Sequence, residues 1–155
     1  MFLLDGKALS LKEQEQLKNR ISNLAIKPSL HVILVGCLAP SEIYVEKKQH
    51  AATYVGIQSF VHRFTNETTT EELLKFIHTL NNDASVHAIL LQLPLPHHLD
   101  SRTIIDAISP LKDVDGLTSS NLGKLMLGSP QIIPCTPQGC LDLIRRCNQN
   151  IEGLH

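Results

Sequence analysis

Short apolar runs alternate along the chain with stretches in which apolar residues recur every three or four positions. Ser10-Leu11-Lys12-Glu13 has the spacing of a helix-start capping box, and Leu17, Ile21, Leu24 and Ala25 follow at helical intervals up to Pro28. Residues 31–36 (HVILVG) form a β-branched apolar run closed by glycine, the pattern of a buried strand. Pro40-Ser41 opens a helix predicted to reach Val55 and stop at Gly56. Residues 57–64 read as a second strand. Thr69-Thr70-Glu71-Glu72 starts another helix, with Leu73, Leu74, Ile77 and Leu80 on its apolar side. Residues 86–93 (VHAILLQL) read as a third strand, and residues 102–108 as a short helix. From 110 to 128 the periodicity is lost, which predicts an ordered functional loop with one helical turn. Pro134-Cys135-Thr136-Pro137 then starts a last helix, with Thr136 as N-cap, Pro137 at the first helical position, and Leu141, Ile144 and Cys147 on the buried side.

Strands that alternate with helices in this way predict an α/β, three-layer sandwich, a mostly parallel sheet flanked by helices. The 155 residues are 43% apolar and 19% charged, enough for one domain with a core. A net charge of -1 and the absence of Trp argue against nucleic acid as a partner. The N-terminal MFLLDGKALS carries Asp5 and Lys7, so it does not read as a signal peptide, and no apolar run approaches the roughly 20 residues that span a bilayer. Cys37, Cys135, Cys140 and Cys147 form no C-x-x-C pair and no zinc spacing, so no metal site is expected. They fit reduced thiols in the cytoplasm or an organelle matrix; two disulfides are the alternative.

Three features could carry chemistry. On the helix from Ser41, Tyr44, Lys48, Ala51, Ala52 and Val55 share one face, which sends Lys47 elsewhere and puts Lys48 among small apolar residues. Packing an ammonium there removes hydration and favours proton exchange near neutrality, unless the side chain snorkels to water. Gln92 interrupts the apolar run 89–93 near the carboxyl end of a strand, where open α/β sheets bind ligands. It could fix an ammonium or a ligand edge, or simply bond a loop. Asp113 and Asp115 flank Val114 and would face the same way in extended backbone; they could bind a polar edge or cap the turn at Gly116. The glycines form no G-x-G-x-x-G, so no nucleotide fingerprint is present. His97-His98 reads as surface.

Taken in order, four segments resemble the methylenetetrahydrofolate dehydrogenase/methenyltetrahydrofolate cyclohydrolase family. They are VGCLAPSEIYVEKKQHAATYVGI, ILLQLPLP, SPLKDVDGLTSSNLGKL and IIPCTPQGCLDLI. The resemblance covers essentially the whole chain. It implies Lys48 as the catalytic lysine, Gln92 as the residue that positions it, and Tyr44 as the ring that stacks on the folate. It also implies that Asp115 grips the pterin edge and that Leu91 and Leu93 flank the pocket. The implied substrate is a tetrahydrofolate derivative, oxidised with NAD(P) from the 5,10-methylene to the 5,10-methenyl form and then hydrolysed to 10-formyltetrahydrofolate. A fixed positive charge beside that cation is unfavourable, so a neutral or proton-sharing Lys48 suits the second step. The family continues after I-x-G into a Rossmann domain with a G-R-S-x-x-V-G loop for NADP or NAD. That domain has no counterpart after about residue 150, and the chain stops at His155 without a polar tail, as a truncated product would. The expectation is therefore a folate-binding catalytic domain over residues 1–155, without dehydrogenase activity of its own. It is expected to be monomeric where the family is dimeric, and to expose apolar surface where the missing parts would pack. A non-catalytic folate- or partner-binding module is the alternative.

Overall fold

The computed structural model describes residues 3–146 and residue 153. Helix α1 (Gly6–Ser22) starts one turn earlier than the capping-box spacing predicts, because Asp5 caps it: its carboxylate accepts the Ala8 N–H at 2.9 Å. Ser10 lies inside the helix and accepts from the Gln14 side chain at 2.9 Å. The helix also stops short of Pro28. Lys27 Nζ donates to the carbonyls of Ile21 (2.8 Å) and Ser22 (3.3 Å), satisfying groups that a longer helix would have bonded. Leu24 and Ala25 are exposed as a result, and Ile21 alone of the helix is buried.

Strands β1 (Ser29–Val35), β2 (Gln58–Phe64) and β3 (Ala88–Leu91) form a parallel sheet in the order β2-β1-β3. In this register Ile33 lies beside both His62 and Leu91. Alternation along the strands separates two cores. Ile33, Val35, Ile89 and Leu91 face α3 (Thr70–Asn82) and α4 (Ser101–Asp106) and meet Leu73, Ile77, Leu80 and Ile104. Val32, Leu34 and Leu90 face the other way and meet Val45 of α2 (Ala39–Val55). The predicted capping box at Thr69 and Glu72 is present, and α2 ends at Gly56 in a left-handed conformation (φ +91°). β3 is shorter than the apolar run 86–93, because Pro94 and Pro96 have no N–H with which to extend the ladder.

The segment 110–128 is more regular than its composition suggests. It contains α5 (Ser119–Met126), two turns long, opened by Thr118, whose hydroxyl accepts the Asn121 N–H at 3.3 Å. The last helix, α6 (Cys135–Arg145), starts one residue before its expected N-cap: Pro134 occupies the cap and Thr136 lies within the helix. α6 has no fully buried residue; Leu141 is half-buried, Ile144 is exposed, and Cys147 lies outside the described residues. Apolar side chains are also bare near the end of α5, where Met126 and Leu127 are 87% and 83% exposed. Cys37, Cys135 and Cys140 are free thiols. Among the described residues no helix is long and apolar enough to cross a membrane.

Candidate active site

α2 packs through Ser41, Val45, Ala52 and Val55. Lys48 lies just off the centre of that line and is half-buried. Tyr44, one turn earlier, sits farther toward the edge and is 59% exposed, so it is not part of the packed face that the spacing predicts. From this position the Lys48 ammonium reaches across to the end of β3 and donates to Gln92 Oε1 at 3.2 Å.

Gln92 is held at both ends. Its backbone N–H continues the ladder by donating to Ile33 O (2.9 Å), and its side-chain Nε2 donates to Leu93 O (2.7 Å). With Nε2 committed to Leu93 O, the amide oxygen faces α2 and accepts from Lys48. Leu91 and Leu93 do not join this arrangement. By the alternation of β3 they belong to the larger core, Leu91 buried at 5% exposure and Leu93 packed against it, and neither lines the Lys48 cavity.

The two aspartates of K-D-V-D also part company rather than face the same way. Asp113 bridges to Ile89 at the edge of β3 and is 3% exposed. Burial alone would raise its pKa, but donation from Thr118 N–H (2.8 Å) and Asn121 Nδ2 (2.9 Å) holds it below the ordinary value. Asp115 lies beyond the bridge and opens onto a cavity of about 460 Å³ shared with Lys48, Leu117, Pro134, Cys135, Thr136 and Pro137. Burial pushes its carboxyl up, Lys48 opposes this, and the charge of Asp113 adds to it. No hydrogen bond or ion pair among the described residues occupies the Asp115 carboxylate. The Cys135 thiol is likewise raised by burial and by Asp115, with Lys48 opposing.

The cavity thus presents an amine, a carboxylate and a thiol against proline and leucine walls, at a volume suited to part of a small polar heterocycle. The P-C-T-P segment forms one wall, a role that its position in the fourth motif could have suggested and that helix periodicity could not. No group of three or more potential metal ligands exists among the described residues. Among the described residues the left-handed glycines, Gly36, Gly56, Gly116, Gly128 and Gly153, are widely separated, and none belongs to a glycine-rich phosphate loop.

A parallel α/β sandwich with a polar cavity beside the carboxyl end of its β3 strand defines the class: an open-sheet α/β domain with a cavity of small-molecule size. Within that class, the chain belongs to the tetrahydrofolate dehydrogenase/cyclohydrolase family, whose catalytic-domain model matches residues 4–115. The bifunctional protein FolD of Agathobacter rectalis is 44% identical over 154 residues, covering 97% of this chain and 55% of that protein. The crystal structure of the bifunctional enzyme FolD, methylenetetrahydrofolate dehydrogenase/cyclohydrolase, from Campylobacter jejuni is 45% identical with a TM-score of 0.93, covering 96% of this chain and 54% of the other. The Trypanosoma brucei methylenetetrahydrofolate dehydrogenase-cyclohydrolase, solved with NADP cofactor and an inhibitor, is 30% identical with a TM-score of 0.92, covering 97% and 53%. The chain spans about half the length of the curated relatives it matches.

Proposed function

We propose that this chain is the folate-binding catalytic domain of a methylenetetrahydrofolate dehydrogenase/cyclohydrolase, and that Lys48 moves the proton in the hydrolytic step. One observation carries this reading: Lys48, bonded to Gln92 at 3.2 Å, faces the same cavity as a half-buried carboxylate, Asp115, that accepts no hydrogen bond among the described residues. A carboxylate left so is matched by a ligand edge rich in N–H donors, which a pterin provides. Tyr44, exposed one turn before Lys48, offers a ring face on the same side of α2. Leu91 and Leu93 act from behind, as packing that fixes Gln92, rather than as contacts.

In the hydrolytic step water adds to the methenyl carbon, the ring opens, and 10-formyltetrahydrofolate leaves with a net release of one proton. The methenyl cation is already electrophilic, so the chemistry calls for a placed water and a proton relay rather than a Lewis acid. As a neutral amine, Lys48 accepts one proton of the attacking water and returns it to the departing ring nitrogen, the second water proton is released as the formyl C=O forms, and Gln92 fixes the amine throughout. Asp115 fixes the far end of the heterocycle. The dehydrogenase step of the relatives uses NAD(P), and a glycine-rich phosphate loop to hold it is not found among the described residues. The thiols of Cys37, Cys135 and Cys140, free among the described residues, suit a reducing compartment such as the cytoplasm.

The test is hydrolysis of 5,10-methenyltetrahydrofolate by the 155-residue chain, followed by loss of its absorbance. Turnover above the uncatalysed rate that disappears in Lys48→Met is the expected result. Uncatalysed turnover from a folded chain that still binds folate leaves a folate-binding module without catalysis, a reading that the half-length match to relatives also admits.

A further inference from the structure

The segment that carries Asp115 is closed by a buried device that does not itself reach the cavity. Upstream, Ile89 N–H donates to Lys112 O at 2.7 Å, joining the segment to β3. Downstream, the Asp113 carboxylate accepts from Thr118 N–H (2.8 Å) and from Asn121 Nδ2 (2.9 Å). Asn121 is fully buried at 0% exposure, and its Nδ2 also donates to Pro110 O at 3.0 Å, so one amide stitches residues 110, 113 and 121 together. Thr118 in turn caps α5. Residues 114–117 are therefore a short arch whose two feet are bonded to each other. Gly116 supplies the left-handed turn at its top (φ +67°), where a Cβ would come within 3.3 Å of Ile132. Asp115 sits on this arch.

We propose that Asp113 and Asn121 are positioning residues for Asp115: their buried hydrogen bonds clamp the feet of the arch and so hold the Asp115 carboxylate aimed into the Lys48 cavity. Without the clamp, the arch keeps the bridge to Ile89, the helix cap, the Arg102 Nη2 bond to Leu117 O (2.6 Å) and the Cys135 Sγ bond to Val114 O (3.6 Å), but its two feet are no longer tied through the Asp113 carboxylate, and the Asp115 carboxylate is free to swing toward water. The ligand side of this inference rests on the folate reading above; the clamp itself does not. A clamp has a signature that general stabilisation lacks. Its removal matters for binding only while Asp115 is there to be aimed, and it loosens the arch without loosening the sheet.

The experiment measures the affinity of the 155-residue chain for 5-formyltetrahydrofolate, a stable reduced folate, by calorimetry, in wild type, Asp113→Asn, Asp115→Asn and the double variant. Amide hydrogen exchange is read on the same proteins. Asn121→Ala, which leaves Asp113 the Thr118 N–H but removes its link to α5 through Asn121, replaces Asp113→Asn if that variant does not fold. The expected result is an affinity loss on the order of tenfold in Asp113→Asn, as for other supporting residues behind a binding group. That loss should vanish when Asp115 is already Asn. Exchange at residues 114–118 should quicken by about tenfold while β1 is unchanged. Losses that multiply in the double variant, or exchange at 114–118 that stays at the wild-type rate, overturn the proposal and leave Asp113 a stabilising residue only. If wild type binds no reduced folate, the folate reading fails, and the exchange result alone decides the clamp: quickened exchange confined to 114–118 supports it and unchanged exchange overturns it.

Discussion

Replacing Lys112 by Met tests how the site segment is fastened to the rest of the fold. α3 ends without a basic residue in its last turn, and its terminal carbonyls have no helical partners. Lys112, distant in sequence, supplies the missing cation. Its three N–H groups are all committed, to Leu80 O (2.9 Å), Asn81 O (2.8 Å) and Asp83 O (2.7 Å). Hydrogen bonds to charged groups contribute about 1.5–3 kcal/mol each, so three set an upper bound of roughly 4.5–9 kcal/mol. The bond to Asp83 is exposed, and the freed carbonyls regain water in the variant. Immobilising a lysine side chain also costs about 2 kcal/mol that Met partly recovers. The net loss expected is about 2–3 kcal/mol. In a domain of this size each kcal/mol moves the melting point by about 2–4 °C, so the midpoint should fall by roughly 5–10 °C. Urea unfolding followed by circular dichroism, with a parallel thermal melt, measures it directly. Lys112→Arg should recover only part of the loss, since a planar guanidinium cannot point donors at three converging carbonyls as an ammonium does. A loss below about 0.5 kcal/mol would mean that water replaces the ammonium without penalty, and the reasoning would be wrong.

Other expectations concern protons and backbone. His31 Nδ1 and His62 Nε2 lie 3.0 Å apart, a bond that requires at least one neutral ring. Burial lowers both pKa values, and His31 is lowered further by His62 and by Lys112 while Asp83 opposes. The unfolded chain therefore takes up protons first, and stability should be full above the ordinary histidine value of 6.5 and decline as pH falls below it. His62→Gln should flatten that decline in urea midpoints measured between pH 7 and pH 5; an unchanged slope contradicts the account. Asp115 has the opposite sign, since its raised pKa means that the folded state holds its proton better than the unfolded one. Stability conferred at low pH is lost as pH rises through the raised value, so Asp115→Asn should melt higher than wild type at pH 7 while binding folate less tightly; a lower melting point would count against a strained carboxylate. Gly56→Ala should cost about 1–2 kcal/mol in urea unfolding, because an L side chain resists the left-handed φ of +91° and its Cβ would stand 3.2 Å from Ile21 Cγ2.

β1 and β3 were legible in the sequence because they are short apolar runs with glycine or proline at their ends, and those signals are local; β2 (QSFVHRF) is more than half polar and was marked only by Gly56 before it and by Phe60, Val61 and Phe64. The helix from Pro40 to Gly56 was legible from local signals too. Boundaries decided by side chains at a distance were not. The true start of α1 depends on Asp5 prevailing over Ser10, and its end on Lys27 folding back over the last carbonyls. α5 was hidden by Gly123 and by polar residues whose partners lie elsewhere, such as Asn121 with Asp113. At the site, helical spacing separated Lys48 from Lys47, and the strand-end position singled out Gln92, but nothing local said that the two would meet. Only the order of the four motifs linked them. The same spacing put Tyr44 too far inward, because a face five residues wide includes its own edge. The separate roles of Asp113 and Asp115 could not be read from spacing, since the bridge to Ile89 breaks the regular alternation that extended backbone would impose; only the family resemblance singled out Asp115.

The alternation of β3 has a consequence for how this segment can change over generations. Gln92 meets Lys48 only because it lies two positions beyond Leu90, whose side chain lies on the α2 side of the sheet. Exchanging one aliphatic residue for another at 89 or 91 alters a volume in the larger core and leaves the amide where it is. Deleting a single residue between Ala88 and Gln92 inverts every side chain beyond it, driving an amide into the aliphatic core and offering the lysine a leucine. Drift in side-chain identity is therefore tolerable here, whereas drift in length is not, and a one-codon indel in this stretch should be purged even where multiple substitutions survive.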